Sequence, residues 1–301
     1  MKFGFLAHPY DMFGSPSELA RVVRRADELG YGSVCFPDHV ALSTEWVGEL
    51  GNKGRLDFPT VAAFLAAQTQ RIEFVSNVFI LPLSNPLRLA RQLVAVDQVS
   101  GGRLVFGVGV GWNEEEFKAV GVSFPERGAI TNEYIAAMKA LWSSEPASFS
   151  GKYVNFEDIC FMPKPVRGTI PIVSGGAPAP GVLKRVATLC DGWMPWKVAR
   201  EDLPGELEKL RALLAENGRR LEDLDITWRI VVGLNPAIAS SQKHASDGKQ
   251  EGTELQKPVA EEIRDLAALG VTRINVHFPG NSPDALIDDL ERFAAEHIRL
   301  A

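Results

Sequence analysis

The chain is poor in the residues that build stapled or metal-bound modules. Its 301 residues include only 3 cysteines and 5 histidines. Cys35, Cys160 and Cys190 form no C-x-x-C pair, so neither a disulfide scaffold nor a cysteine zinc site is expected. The residues predict no metal centre, and the thiols read as buried and reduced. No apolar run reaches the roughly 20 residues that a bilayer-crossing helix needs. Long basic runs are missing too, and the net charge is -6, which argues against a nucleic-acid partner. The opening MKFGFLAHPY is patterned like a strand, and no signal peptide is expected before it. These absences leave a soluble, cytoplasmic protein whose partner is a small-molecule substrate.

What is present is core-forming material. Apolar residues make up 46% and charged residues 23%, which excludes general disorder. A single domain over residues 1–301 fits this length, because barrels of alternating strands and helices run to roughly 250 residues or more.

The order of elements supports that architecture. Residues 2–7 predict a strand. Ser15, Pro16 and Glu18 then mark a helix start, followed by Leu19, Val22, Val23, Ala26 and Leu29 at helical spacing, and Gly30 closes it. A strand follows at 33–36, a helix at 58–69 and a strand at 72–81. Asn85 and Pro86 open a helix to Ser100, and a strand is expected at 103–108. Helices at 113–118 and 126–143 precede a hairpin insertion at 149–163. Strands at 171–174 and 190–194 flank another helix. A helix at 201–216, a strand at 226–233, a helix at 258–269, a strand at 272–277 and a helix from Ser282 onwards complete the order. Continuous apolar strands, nearly all followed by helices, predict a parallel sheet covered on one side. Eight such units fit an α/β (β/α)8 barrel with insertions after several strands better than an open doubly wound sheet, although periodicity leaves both standing.

In a barrel of this kind the loops after the strands carry the chemistry. His8, His39 and His277 each follow a predicted strand, so they are candidates for a shared pocket. His244 lies in a polar loop and His297 on the last helix. The Asp38-His39 pair is the sharpest signal. Adjacent side chains at a strand end point different ways, so one can hold a ligand while the other handles a proton. A loop-capping Asp beside a satisfied His is the plain alternative. Ser76 and Asn77 interrupt an apolar strand, which predicts a bulge or a hydrogen-bonded amide. Gly107, Gly109 and Gly111 remove side chains where another group must approach. The following Glu114, Glu115 and Glu116 already serve the positive helix end, so a phosphate there would be repelled.

Ser174, Gly175 and Gly176 differ in this respect. They precede a helix near Pro180, and no acid lies between Ser174 and Leu189. Backbone N–H groups at that helix start predict an anion site, with an ordinary glycine turn as the alternative. Trp193, Met194 and Trp196 are candidates for a pocket wall or for a cap on the barrel core. The loops at 43–57 and 237–257 are candidates for lids, or plain surface loops.

Several of these stretches together resemble the bacterial luciferase-like flavin and deazaflavin oxidoreductase superfamily. They are Leu81-Pro82-Leu83 with Asn85-Pro86, Ala90-Arg91-Gln92, Asp97, Ser100-Gly101-Gly102-Arg103, Gly109-Val110-Gly111-Trp112, Pro37-Asp38-His39 and Asp191-Gly192-Trp193. The subgroup that uses coenzyme F420 is the nearest in pattern. The resemblance implies a barrel with the cofactor across its C-terminal face, a homodimer, and a separate reductase to supply the reduced cofactor. It implies cofactor contacts at Asp38, Asn77, Val78, Ile80, Val110, Gly111, Ser174, Gly175 and Gly176, with His39 as acid or base. Asn77-Val78 matches a bulge that in the family holds a non-prolyl cis peptide. His8, Trp112, Trp193 and His277 are left to the substrate pocket. The sugar-phosphate dehydrogenase branch carries an acidic residue where this chain has Trp112, which points away from that activity and towards a more apolar or planar substrate. Lys197, Arg200 and Arg229 are the only cations near enough in pattern to hold a sugar phosphate. The leading expectation is hydride transfer between coenzyme F420 and a small organic molecule. A two-component monooxygenase using reduced FMN and a non-catalytic flavin-binding protein are the alternatives.

Overall fold

The computed structural model describes residues 1–8, 10–42, 56–232, 257–278 and 280–298. Strand β1 (Lys2–Leu6) pairs with β2 (Ser33–Phe36), β2 with β3 (Glu73–Ser76), and β3 with β5 (Leu104–Gly109). The ring continues through β8 (Ile172–Gly176), β9 (Gly192–Pro195), β10 (Asp225–Val231) and β11 (Arg273–His277), which returns to β1. Strand β4 (Phe79–Ile80) carries the line of β3 onward along β5, so the nine strands of the sheet fill eight positions. Every pairing in the ring is parallel, and the sheet is a closed barrel.

Helix boundaries follow their capping residues. Ser15 Oγ accepts from the Glu18 N–H at the start of α1 (Pro16–Leu29), and Gly30 ends it in the left-handed region at φ 92°. Asp57 caps α2 (Phe58–Ala66), which stops sooner than the predicted 58–69. Asn85 accepts from the Leu87 and Arg88 N–H groups to open α3 (Pro86–Ser100). Helices α4 (Glu114–Val120) and α5 (Arg127–Ser143) follow β5. The hairpin is β6 (Ala147–Ser150) against β7 (Asn155–Ile159), and it leads to Cys160, which is exposed rather than buried as its neighbours predicted. Helices α6 (Pro180–Leu189), α7 (Leu203–Glu216), α8 (Val259–Leu269) and α9 (Pro283–Phe293) complete the outer layer among the described residues. Both loops read as possible lids fall outside the described residues, except Leu56, Asp57 and Lys257.

Strand alternation sorts the core into two layers. Phe3, Phe5, Phe74, Phe106, Ile172 and Trp193 pack outward under the helices. Cys35, Val75, Val105, Val173 and Met194 fill the interior. The N-terminal end of the barrel is closed by ions. Arg273, 1% exposed, donates through Nε and Nη2 to Asp225 at 3.1 and 2.7 Å, and through Nη2 to Glu73 at 2.8 Å. Lys2 adds a bond to Glu73 at 2.7 Å. A buried guanidinium is tolerable there because it has two carboxylate partners. That end is sealed, which leaves the C-terminal end for a ligand. No described helix is long and apolar enough to cross a membrane.

Candidate active site

A cavity of about 500 Å³ opens at the C-terminal ends of the strands. Its wall includes Asp38 and His39 after β2, Asn77, Val78 and Ile80 at the break in the third barrel position, Val110, Gly111 and Trp112 after β5, and Gly175 and Gly176 at the end of β8. Residues from distant parts of the chain therefore share one hollow.

The break between β3 and β4 shapes one side. The sequence predicts one strand over 72–81, but the Asn77–Val78 peptide is cis and the strand divides there. Glycines opposite make room. A Cβ on Gly109 would stand 2.5 Å from one Val78 methyl, and a Cβ on Gly175 would stand 2.5 Å from the other. Val78 thus wedges between two bare backbones and presents its remaining surface to the cavity. Ser76 Oγ donates to the Gly107 carbonyl at 2.8 Å, and the Asn77 N–H donates to the Phe36 carbonyl at 2.7 Å, so the bulge stays tied to both neighbours. Gly111, at φ 81°, lies where a Cβ would strike Phe117 and Ile80.

Asp38 is 8% exposed, and its Oδ2 accepts from the Phe58 N–H at the start of α2 at 3.0 Å. Burial raises its pKa to about 6, opposed by the Phe58 N–H and reinforced by the nearby Asp57 charge. The native state therefore binds this proton more tightly than the unfolded chain, whose Asp titrates near about 4. That contribution is full below the unfolded value and is lost as pH rises through about 6. Asp38→Asn keeps an acceptor for Phe58 but carries no charge. It is expected to stabilise the unliganded protein at about pH 8 by on the order of 1–3 kcal/mol, and the gain should vanish below about pH 4. Melting curves of both proteins across pH check this, and equal pH slopes would refute it.

His39 is half-buried beside Asp38. Its Nδ1 lies 3.0 Å from Glu116 Oε2, and its ring meets Trp112 edge-to-face at 5.8 Å. Glu116 was grouped by sequence with Glu114 and Glu115 at the helix end. The structure separates them, because Glu114 and Glu115 are exposed and Glu116 is 2% exposed. The spacing Asn113-x-x-Glu116 is a capping-box signature, yet the glutamate turns to His39 instead of the helix start.

Arg127 is a wall residue that sequence reasoning missed. It opens α5, its guanidinium lies 4.0 Å from the Phe124 ring centre, and Nη1 donates to the Phe124 carbonyl at 3.0 Å. Its Nε is buried with no partner among the described residues. A cation on the first turn of a helix opposes the helix dipole, and that was the available signal. The start of α6 is nearby in the same wall through Ala179 and Val182, and Ala179 supplies no side-chain cap. This corner suits an anion.

Four expected site residues lie outside the wall. Ser174 points opposite Val173 and Gly175, towards the helices, with its Oγ buried and unpartnered among the described residues. Trp193 is fully buried in the outer layer and donates through Nε1 to the Gly176 carbonyl at 3.2 Å. Its neighbours Met194 and Trp196 line the cavity in its place. His8 is half-buried at the end of β1. His277 sits inside the barrel near Arg229, and burial, then that charge, lowers its pKa to about 4. Lys197 and Arg229 line the cavity, whereas Arg200 pairs with Glu262 at 2.5 Å. No cluster of metal-ligating side chains occurs among the described residues.

Comparison with known proteins sets this site in a family. The profile described as luciferase-like monooxygenase matches residues 2–273. The chain belongs to the luciferase-like monooxygenase family. An uncharacterized protein of Mycobacterium tuberculosis is 28% identical to this luciferase-like chain over 309 residues, covering 98% of each. The F420-dependent glucose-6-phosphate dehydrogenase of Kineococcus radiotolerans is 30% identical over 244 residues, covering 78% of this chain and 68% of that one. The FMNH2-dependent dimethylsulfone monooxygenase of Pseudomonas putida is 28% identical over 166 residues, covering 54% and 46%. Among solved structures, the monooxygenase RslO1 of Streptomyces bottropensis superposes with a TM-score of 0.81 at 21% identity, covering 100% of this chain and 99% of that one. An F420-dependent secondary alcohol dehydrogenase gives 0.79 at 18% identity, covering 98% and 97%. At those identities the two structures speak for the luciferase-like fold alone.

Proposed function

We propose that the protein is an oxidoreductase that uses coenzyme F420 to exchange hydride with a small, largely apolar organic substrate. The observation that carries this reading is His39, an imidazole held against a buried carboxylate at 3.0 Å in the wall of the cavity. Reducing a polar double bond by hydride needs a proton at the neighbouring atom, and oxidising an alcohol needs a base.

The residues present fit a planar ring with an anionic tail. Val78, flanked by Gly109 and Gly175, offers a flat apolar support. Gly176, Arg127 and the uncapped start of α6 offer a cationic, N–H-rich corner for a phosphate. When bound, the deazaflavin ring supplies hydride chemistry at carbon. The chain's part is to orient and to exclude water. Asp38 fixes the ring edge, Trp112, Met194 and Trp196 screen the reacting centre from solvent, and His39 gives or takes the proton. The aromatic wall favours planar or apolar substrates over sugar phosphates. The Kineococcus radiotolerans relative, matched over more of this chain than the FMNH2-dependent one, supports F420 over FMN.

Titration of the purified protein with F420 and with FMN, followed by absorbance and fluorescence, tests the choice. F420 is expected to bind at least about tenfold more tightly, a difference of about 1.4 kcal/mol. Reduced F420 should then be oxidised without oxygen when an acceptor is supplied. Preferential FMN binding with oxygen-dependent product formation would instead favour a two-component monooxygenase served by a separate reductase. Tight cofactor binding with no turnover across a broad acceptor panel would indicate a carrier.

A further inference from the structure

We infer that Glu116 is a positioning residue that sets the tautomer of His39. This inference rests on the role given to His39 above, but its central claim concerns the unliganded protein.

The glutamate has no exposed side-chain surface, and both oxygens are engaged. Oε1 accepts from the Val40 N–H at 2.6 Å and from the Ala41 N–H at 3.1 Å. Oε2 faces His39 Nδ1 at 3.0 Å. The two backbone donors fix the plane of the carboxylate, because neither can rotate without breaking the turn after β2. An ionised carboxylate accepts hydrogen bonds and donates none. The partner that completes this arrangement is an Nδ1–H. Protonation at Nδ1 leaves Nε2 as the lone-pair nitrogen of the neutral ring, on the side away from Glu116. Trp112 braces the ring edge-to-face. Glu116 thus acts through His39 and touches neither substrate nor cofactor. A buried carboxylate behind an imidazole is a general way to select one tautomer and to stabilise the imidazolium that forms after proton uptake.

The substitution Glu116→Gln separates this role from mere scaffolding. The amide oxygen can still accept from Val40 and Ala41. The amide nitrogen then faces Nδ1 and donates, so the neutral ring must place its proton on Nε2. Nitrogen-15 imidazole spectra of the unliganded protein in mildly alkaline buffer read this directly, with the His39 signals assigned by their loss in His39→Gln. The unaltered protein is expected to show Nδ1–H, and Glu116→Gln to show Nε2–H. The variant should also lose at least about tenfold in kcat with substrate KM and cofactor affinity within about threefold, because the effect lies in proton transfer and not in binding. A proton on Nε2 in the unaltered protein would overturn the inference without recourse to any variant. A switched tautomer with unchanged kcat would overturn the positioning role. If the unaltered protein turns over nothing with F420, the functional reading fails, and the spectra still decide the tautomer.

Discussion

Replacing His39 by alanine is expected to lower turnover by about two orders of magnitude or more while cofactor affinity stays within several-fold. General acid–base groups contribute about 10²–10⁴ to rate, and among the described residues His39 is the imidazole that lines the cavity. The phosphate corner at Arg127 and Gly176 and the apolar support at Val78 do not depend on it, so the ring should still be held. Alanine has a side effect that must be separated from catalysis. It leaves Glu116 Oε2, fully buried behind the ring, without the Nδ1 partner it faces at 3.0 Å. An orphaned buried acceptor costs about 1–3 kcal/mol. His39→Gln resolves the ambiguity, because its amide can donate to Glu116 but cannot move a proton at neutral pH. Both variants should be slow, and only the alanine variant should melt measurably earlier. Steady-state rates with matched melting curves make the comparison. Full turnover in either variant would remove His39 from the reaction.

The strand-end residues were legible because the barrel makes position along the chain into position in space. A residue at or just beyond the end of an apolar strand emerges at the C-terminal rim, and Asp38, His39, Gly111 and Gly176 do so. What sequence could not fix was parity. Trp193 and Met194 are both apolar, both faces of β9 are buried, and alternation does not tell which one looks inward. Register settles it, since Met194 pairs with Gly175 and joins the interior, and Trp193 pairs with Ser174 under the helices. The same one-residue ambiguity misplaced Ser174. His277 was placed at the right end of β11 but lies beside the cavity rather than in its wall. Glu116 was hidden for another reason. Three successive glutamates look like one charge cluster, yet each helical step turns the side chain by about 100°, so one of them faces inward with Phe117. The partner it meets lies 77 residues away in sequence, in the loop after β2. No local pattern carries that contact.

The alternate glycines of β5 lead to the largest expected effect on folding. Gly107→Ala should abolish the native barrel or cost at least about 3 kcal/mol. A Cβ at that position would lie 1.8 Å from the carbonyl oxygen of Ser76, a backbone atom with no rotamer to change. Relief would have to come from parting β3 and β5, and that pairing is one of the contacts that close the ring. It would also break the bond from Ser76 Oγ to the Gly107 carbonyl and displace the Asn77–Val78 bulge beyond it. The same chemical change elsewhere has the opposite sign. Gly205 lies exposed in α7, with nothing within 4 Å of a Cβ and no positive φ. There Gly→Ala lowers the entropy of the unfolded chain and should stabilise by about 0.4–1 kcal/mol. Denaturant unfolding of the pair distinguishes a steric demand at β5 from a general preference for glycine. A Gly107→Ala protein as stable as Gly205→Ala would mean that the bulge is not packed against β5, and the support proposed for the ring at Val78 would go with it.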